Sequence, residues 1–317
     1  VNLQNNATTA FDCFVKRAEF DIIDLRCSMA FDLEIMKGIQ SFRSGFADGF
    51  FRLITLLGND IVAFLVICLV FWCLDRRQGE FLIFSLFLSF SFNNILKDIV
   101  KRPRPIGQEG IYTDPGAMEE VMISGNPDYA YSWSFPSGHA QASGTLLTSL
   151  AILIKRWWVT ILFALLLLLI MVSRPYMGVH YPSDVVCGAI FGIGFSFLAA
   201  FLLKRFYAHR KWMYLGIAVL LLPMLFWCTN DTAKALGGFM GFALAFPLEE
   251  RFVRFKTDGA WWKRILRLLL GGGLLMGIRY LTKYLFPEYI LFDYLRYFLL
   301  VFFAYAGYPF LFQKLKL

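Results

Sequence analysis

Three short polar segments interrupt an otherwise apolar chain, and their residue types suit phosphoryl chemistry. They run from Lys97 to Pro105, from Pro136 to His139 and from Ser173 to Asp184. Lys97, Arg104 and Arg174 are cations suited to a phosphate dianion: arginine gives bidentate contacts and lysine a point charge. Ser137 offers a hydroxyl and Gly138 allows close backbone approach, and the free amides at the start of a helix here would bind an anion. His139 and His180 are two of the three histidines in the chain. One imidazole can attack phosphorus while the other protonates a departing oxygen. Asp184, four residues beyond His180, is placed to accept a hydrogen bond from its second ring nitrogen and fix the tautomer.

These residues must be positioned by membrane-spanning helices. The chain has 317 residues and is 58% hydrophobic, 18% aromatic and 17% charged; a soluble chain averages about 45–50% apolar and about 25% charged. That excludes most soluble enzymes. A crossing needs about 20 mostly apolar residues, and nine stretches are expected to meet this: 55–74, 81–100, 138–154, 157–173, 183–203, 212–229, 233–249, 264–285 and 290–312. The third begins polar, and the seventh is rich in Gly and Ala, which suits close helix contact. The fold class is thus an all-α polytopic helix bundle. With nine spans, all three polar segments emerge on one face.

Charge patterning sets an orientation. The formal charge of +8 comes from Lys and Arg in the connections after spans one, three, five and seven and in the tail. Such residues accumulate on the cytoplasmic side, which puts the polar segments on the extracytoplasmic face, periplasmic or lumenal. Because the cations lie between spans and form no continuous face, no nucleic-acid partner is expected; the bilayer is the partner. Ahead of the first span, Ile35, Ile39, Phe42, Phe46, Phe50, Leu53 and Leu57 recur at helical spacing between charges, predicting an amphipathic helix in the interface plane. Residues 106–135 form a long polar insert, of a length that in a compact protein is more often functional than idle. The expected division is 1–54, an extracytoplasmic and interfacial segment; 55–205, a catalytic membrane core; and 206–317, additional helices. No cleavable signal peptide is expected. Cys13 and Cys27, in a polar segment, could pair if it lies outside the cytoplasm.

The ordered pattern of Lys97 with Arg104-Pro105, Pro136-Ser137-Gly138-His139, and Ser173-Arg174 with His180 and Asp184 resembles the three-part signature of the type 2 phosphatidic acid phosphatase (PAP2) superfamily. The resemblance covers roughly residues 90–190. In number and outline the nine spans are similar to those of glucose-6-phosphatase. The resemblance implies that His180 attacks phosphorus to form a phosphohistidine, assisted by Asp184, that His139 protonates the leaving oxygen, and that Lys97, Arg104, Ser137, Gly138 and Arg174 hold the phosphoryl oxygens. It implies no metal and no other cofactor. Lys101 and Arg102 fall off the defining positions and read as secondary.

The expected function is therefore hydrolysis of a membrane lipid phosphate, such as phosphatidic acid, phosphatidylglycerol phosphate, a sphingoid phosphate or a polyprenyl diphosphate. Alternatives are a sugar-phosphate phosphatase, a lipid phosphotransferase and, outside enzymes, a transporter or an inactive scaffold. The chain lacks the paired broken helices in similar halves that mark many transporters, and it retains every motif residue that a silent scaffold would be free to lose.

Overall fold

The computed structural model describes residues 29–122, 131–287 and 289–317. Cys13 and Cys27, and about half of the expected 1–54 segment, lie outside these residues. The described chain is helical, with one isolated bridge between Met122 and Tyr131. Helix α1 covers 29–40, followed by α2 (Gly45–Leu57), α3 (Asp60–Leu69, prolonged by a π-turn, Val70–Leu74), α4 (Arg76–Val100) and the short α5 (Pro115–Val121). Then come α6 (Gly138–Ile154), α7 (Trp157–Tyr176), α8 (Pro182–Phe206), α9 (Arg210–Leu221) and α10 (Asn230–Leu248). The chain closes with α11 (Trp261–Leu285), α12 (Ile290–Phe302) and α13 (Tyr308–Lys314).

Local chemistry explains several boundaries. Asp75 caps α4 by accepting the Gln78 N–H at 2.8 Å. Asp114 does the same for α5 from Ala117 at 3.1 Å, and Pro115 occupies the first turn, where its missing N–H costs nothing. Pro182 opens α8 in the same way.

Among the described residues, five helical stretches are long and apolar enough to cross a membrane: α4, α7, Pro182–Phe226, α11 and Ile290–Lys314. A sixth arises if α2 and α3, bent by 47°, are one broken span. The expected spans 138–154 and 233–249 form α6 and α10, of 17 and 19 residues, and neither is among the five. The stretch Pro182–Phe226 has 45 residues, about twice what one crossing needs. Its polar contacts show why. Helix α8 starts beside the end of α4, where Asp184 meets Arg102 at 2.7 Å. Helix α9 starts beside the beginning of α4, where Arg210 meets Glu80 at 3.0 Å, so the chain doubles back at residues 207–209. It returns to the end of α4, where Asp98 accepts the Thr229 N–H at 3.0 Å.

The polar start of α6 faces protein, not lipid. The Asn93 amide of α4 donates to Gln141 at 2.7 Å, Gln141 donates to the Ser89 carbonyl at 2.8 Å, and Thr145 donates to the Ser89 hydroxyl at 2.8 Å. Ser149 donates to Ser196 of α8 at 3.1 Å. An unpaired polar group in this setting would cost several kcal/mol, so the ladder fixes α4, α6 and α8 in register. Backbone contact tightens the α6–α8 pair: a Cβ on Gly192 would stand 2.2 Å from the Gln141 carbonyl oxygen.

The expected amphipathic helix is broken at residues 41–44, where Ser44 caps α2. Its inner side is mixed: Ile54 is buried and Phe51 packs on Tyr176, while Asp48 accepts the Tyr176 hydroxyl at 2.5 Å. Arg52, largely exposed, donates to Asp114 at 2.7 Å, and a second apolar side faces out, with Phe46 86% exposed.

Gly192→Ala is expected to cost about 1–3 kcal/mol through overpacking. Gly194→Ala, whose added Cβ meets nothing within 4 Å, should leave stability unchanged or raise it by up to about 1 kcal/mol. Thermal unfolding in detergent checks this; equal midpoints for the two variants would contradict the close α6–α8 contact.

Candidate active site

His180 lies in the connection between α7 and α8 and is 2% exposed. Its Nε2 accepts a hydrogen bond from Arg104 Nη1 at 2.9 Å. Arginine has no acceptor, so this contact assigns the lone pair to Nε2 and the ring proton to Nδ1. Arg104 is itself held by donation to the Val179 carbonyl at 2.7 Å and to the Ser132 carbonyl and hydroxyl at 2.7 and 2.8 Å. Burial first, and then the positive fields of Arg104, Arg174 and Lys97, holds the pKa of His180 well below the usual imidazole value. The ring is therefore neutral at neutral pH, with its Nε2 lone pair engaged by Arg104.

On the other side of the ring, Nδ1 is 3.6 Å from Asp184 Oδ2 and 3.4 Å from the Ser134 hydroxyl. Ser134 donates to the same Oδ2 at 2.5 Å. The expected His180–Asp184 pair is thus bridged by a serine instead of closing directly. Asp184 is fully buried. It accepts from the Tyr181 N–H at 3.0 Å and from Arg102 at 2.7 Å. Arg102 also reaches Asp32 at 2.7 Å and the Ser183 hydroxyl at 2.7 Å, and its guanidinium stacks 4.1 Å over the Tyr181 ring. This side chain, read as secondary from the motif spacing, is the counter-ion of two buried carboxylates.

The second histidine belongs to a different set. His139, in the first turn of α6, has Nε2 3.0 Å from Glu120 Oε1, a contact lying off the line of a well-formed hydrogen bond. Glu120 also accepts from Arg174 at 3.1 Å and from the Asn59 amide at 2.9 Å, and Arg174 donates to Thr55 at 2.6 Å. Burial opposes the Glu120 charge, but His139 and Arg174 bring its pKa down to about 2. Ser137 donates its backbone N–H to the Asp184 carbonyl at 3.0 Å, joining the two sets. A Cβ on Gly138 would stand 3.7 Å from Lys97 Nζ, an ordinary contact that places that amine beside the start of α6.

Lys97, Arg104, Ser137, Gly138, His139, Arg174, His180 and Asp184 therefore gather at one end of the bundle. Ser137 Oγ, His139 Nε2 and Arg174 Nε are buried there without a hydrogen-bond partner among the described residues. Buried polar atoms are normally paired, and a multi-oxygen anion matches these three groups. Sequence reasoning did not pick out Ser134, Glu120 or Asp32. Ser134 lies two residues before the second motif, Glu120 in the acidic insert, and Asp32 just ahead of the amphipathic pattern; none carries a periodic signal.

A family model described as "PAP2 superfamily" matches residues 80–210, and one described as "PAP2 superfamily phosphatase, transmembrane extension" matches residues 233–317. A lipid A 1-phosphatase of Rhizobium johnstonii is 33% identical over 127 residues, covering 40% of this chain and 48% of that protein. Sphingosine-1-phosphate phosphatase 1 of Mus musculus is 29% identical over 268 residues, 74% of this chain and 59% of that protein. A decaprenylphosphoryl-5-phosphoribose phosphatase of Mycobacterium tuberculosis is 30% identical over 138 residues, 43% of this chain and 68% of that protein. The chain spans about half the length of the lipid A 1-phosphatases it matches. Among solved structures, Aquifex aeolicus LpxE is 26% identical and aligns with 53% of this chain and 93% of its own at a TM-score of 0.43.

Arg102→Met leaves Asp184 and Asp32 buried without their shared cation, which is expected to cost about 3–5 kcal/mol; Arg102→Lys, retaining the charge, should cost less. Thermal unfolding in detergent reads both. A methionine variant as stable as the parent would remove Arg102 from the role assigned to it.

Proposed function

Because the chain belongs to the PAP2 superfamily, we propose that it is a metal-independent phosphatase acting on a membrane lipid phosphate through a phosphohistidine on His180. The observation that carries this reading is a neutral imidazole whose Nε2 lone pair is held by Arg104 at 2.9 Å, among cations and unpartnered donors suited to phosphoryl oxygens. The relatives' names, which refer to lipid A, sphingosine 1-phosphate and a decaprenyl-linked phosphoribose, support a lipid-borne phosphate.

In the first step Arg104 moves its hydrogen bond from Nε2 of His180 to a phosphoryl oxygen, the freed Nε2 lone pair attacks phosphorus, the bond from phosphorus to the lipid oxygen breaks, and His139 gives its proton to that oxygen. Arg104, Arg174 and Lys97 stabilise the charge on the equatorial oxygens, with Ser137 Oγ and the amides at the start of α6 as further donors. As the P–N bond forms, positive charge develops on the ring and is delocalised toward Nδ1. Asp184, acting through Ser134, meets that charge. In the second step water attacks phosphorus and the P–N bond breaks. The proton from water returns to His139, and free phosphate leaves. Glu120 orients His139 and neutralises Arg174 before substrate arrives.

The membrane arrangement belongs to the same proposal. Taking α3, α4, α6 to α11, and α12 with α13 as nine passes makes consecutive passes run in opposite directions, in keeping with the contacts that place Arg210 beside Glu80 and Thr229 beside Asp98. The basic connections then share the cytoplasmic side, and the site opens on the extracytoplasmic face. Helix α2, with its apolar side outward, lies along the interface beside the site. Residues 55–205 form the catalytic core, 1–54 an extracytoplasmic and interfacial segment, and 206–317 added helices.

Assay of the purified chain against phosphatidic acid, phosphatidylglycerol phosphate, a sphingoid phosphate, a polyprenyl diphosphate and glucose 6-phosphate tests the substrate class. Phosphate release from at least one lipid, unaffected by chelator and lost in His180→Ala and His139→Ala, is expected. With p-nitrophenyl phosphate, whose leaving group needs little protonation, His139→Ala should regain part of its rate and His180→Ala none. Turnover of glucose 6-phosphate alone, phosphate passed to a lipid acceptor in place of water, or full activity in His180→Ala would each overturn this reading.

A further inference from the structure

A second concentration of charge lies at the opposite end of the bundle. A cavity of about 650 Å³ opens where the start of α4, the start of α9 and the end of α10 meet. Its polar lining comprises Arg76, Lys211, Arg251 and Arg254 against a single carboxylate, Glu250. Arg76 and Lys97 are 21 residues apart on one helix, roughly 30 Å along its axis. A group in this cavity therefore cannot reach His180 and is not the substrate of the site described above.

The cavity's own carboxylate does not neutralise it. Glu250 is engaged by Arg210, which stands outside the lining and also meets Glu80 at 3.0 Å. Arg76 is answered by Glu249 at 2.9 Å. Lys211, Arg251 and Arg254 have no ion-pair partner among the described residues. Their positions are built by the fold: a second π-turn, Glu249–Val253, wraps the end of α10, and Arg254 closes it in the left-handed region at φ 48°. The Arg254 Nε–H donates to the Glu250 carbonyl at 2.9 Å, which leaves the outer nitrogens of the guanidinium for a ligand.

The rim of this end is apolar. Trp212 and Phe252, next in sequence to Lys211 and Arg251, are 63% and 68% exposed. Tryptophan side chains such as Trp212 settle at the level of lipid headgroups, and basic pockets between helices on this side of a membrane suit anionic headgroups. We propose that the cavity binds a phosphate group, and that Lys211, Arg251 and Arg254 are its ligands. Its source is either the headgroup of an anionic phospholipid in the leaflet opposite the catalytic end or free inorganic phosphate.

Phosphatidylglycerol is the discriminating probe, because it carries the charge as a diester and is not a phosphomonoester. The full chain is purified with defined lipid, and retained lipid is counted by native mass spectrometry against phosphatidylcholine, which has the same diester but no net charge. The parent protein should retain phosphatidylglycerol in preference. A Lys211→Gln, Arg251→Gln, Arg254→Gln triple variant should retain it on the order of 100-fold more weakly, while the rate of phosphate release from a short-chain lipid phosphate stays the same. A Lys211→Arg, Arg251→Lys, Arg254→Lys variant keeps the charges and should keep the lipid, which separates loss of the site from loss of the fold. Displacement of the lipid by millimolar inorganic phosphate would identify free phosphate as a competent occupant, and resistance to it would identify the headgroup. Equal retention of the two lipids by the parent, or unchanged retention in the triple glutamine variant, would overturn the proposal.

Discussion

Asp184 carries a carboxylate into a fully buried position at the first turn of α8, and what surrounds it accounts for much of this end of the bundle. An isolated ion there would cost several kcal/mol. Instead Arg102, the Ser134 hydroxyl and the Tyr181 N–H converge on its two oxygens at 2.5–3.0 Å. Each donor comes from a different part of the chain: Arg102 from the end of α4, Ser134 from the approach to α6, Tyr181 from the connection that bears His180. Satisfying one carboxylate therefore ties three segments together, and Arg102 extends the tie to Asp32 of α1. The Ser137 N–H on the Asp184 carbonyl brings the start of α6 into the same unit. The histidine is placed because its surroundings are.

Beneath this end the helices are matched by polarity as much as by shape. The ladder through Ser89, Asn93, Gln141 and Thr145 keeps polar atoms away from the apolar surroundings while letting α4 and α6 run side by side. The larger apolar core joins the π-turn after α3 with α4, α9, α10 and the turn that follows α12 (Phe303–Gly307), through Phe71, Trp72, Phe84, Tyr214, Phe242 and Tyr305. It packs the later helices against the back of α4. The division between a polar seam that registers α4, α6 and α8 and an aromatic core that braces α4 from behind explains how a chain of 58% hydrophobic residues can hold a polar constellation fixed. At the far end of α4, Arg76 and Glu80 are paired with Glu249 and Arg210, so one helix links both concentrations of charge.

That the three polar segments gather at one end of the bundle was legible in the sequence, because each lies at the end of an apolar run. The all-helical class was legible for the same reason. What escaped depends on side-chain partners that have no spacing rule. Arg102 lies two residues from Arg104 in a run of basic residues, and only the buried acids around it distinguish them. Ser134 stands between His180 and Asp184 because the approach to α6 folds back, with the Ser134 N–H donating to the Arg102 carbonyl at 2.8 Å. Glu120 comes from an insert whose acidity was visible but whose target was not. The amphipathic pattern before the first span predicts one helix in the interface plane, and the chain breaks it at residues 41–44. In α2, Asp48 and the largely exposed Arg52 each reach a partner in the protein, Tyr176 and Asp114, and neither partner has a spacing rule.

The central claim is that His180 Nε2 carries the phosphoryl group between two displacements, and one measurement addresses it directly. Enzyme mixed with a lipid substrate labelled at phosphorus is quenched within milliseconds in alkali, where a phosphoramidate survives, and the labelled peptide is located by mass spectrometry. The account predicts label on His180 alone, released by acid and absent from His180→Ala. Label on His139, or turnover at full rate with no labelled residue at any quench time, would contradict it.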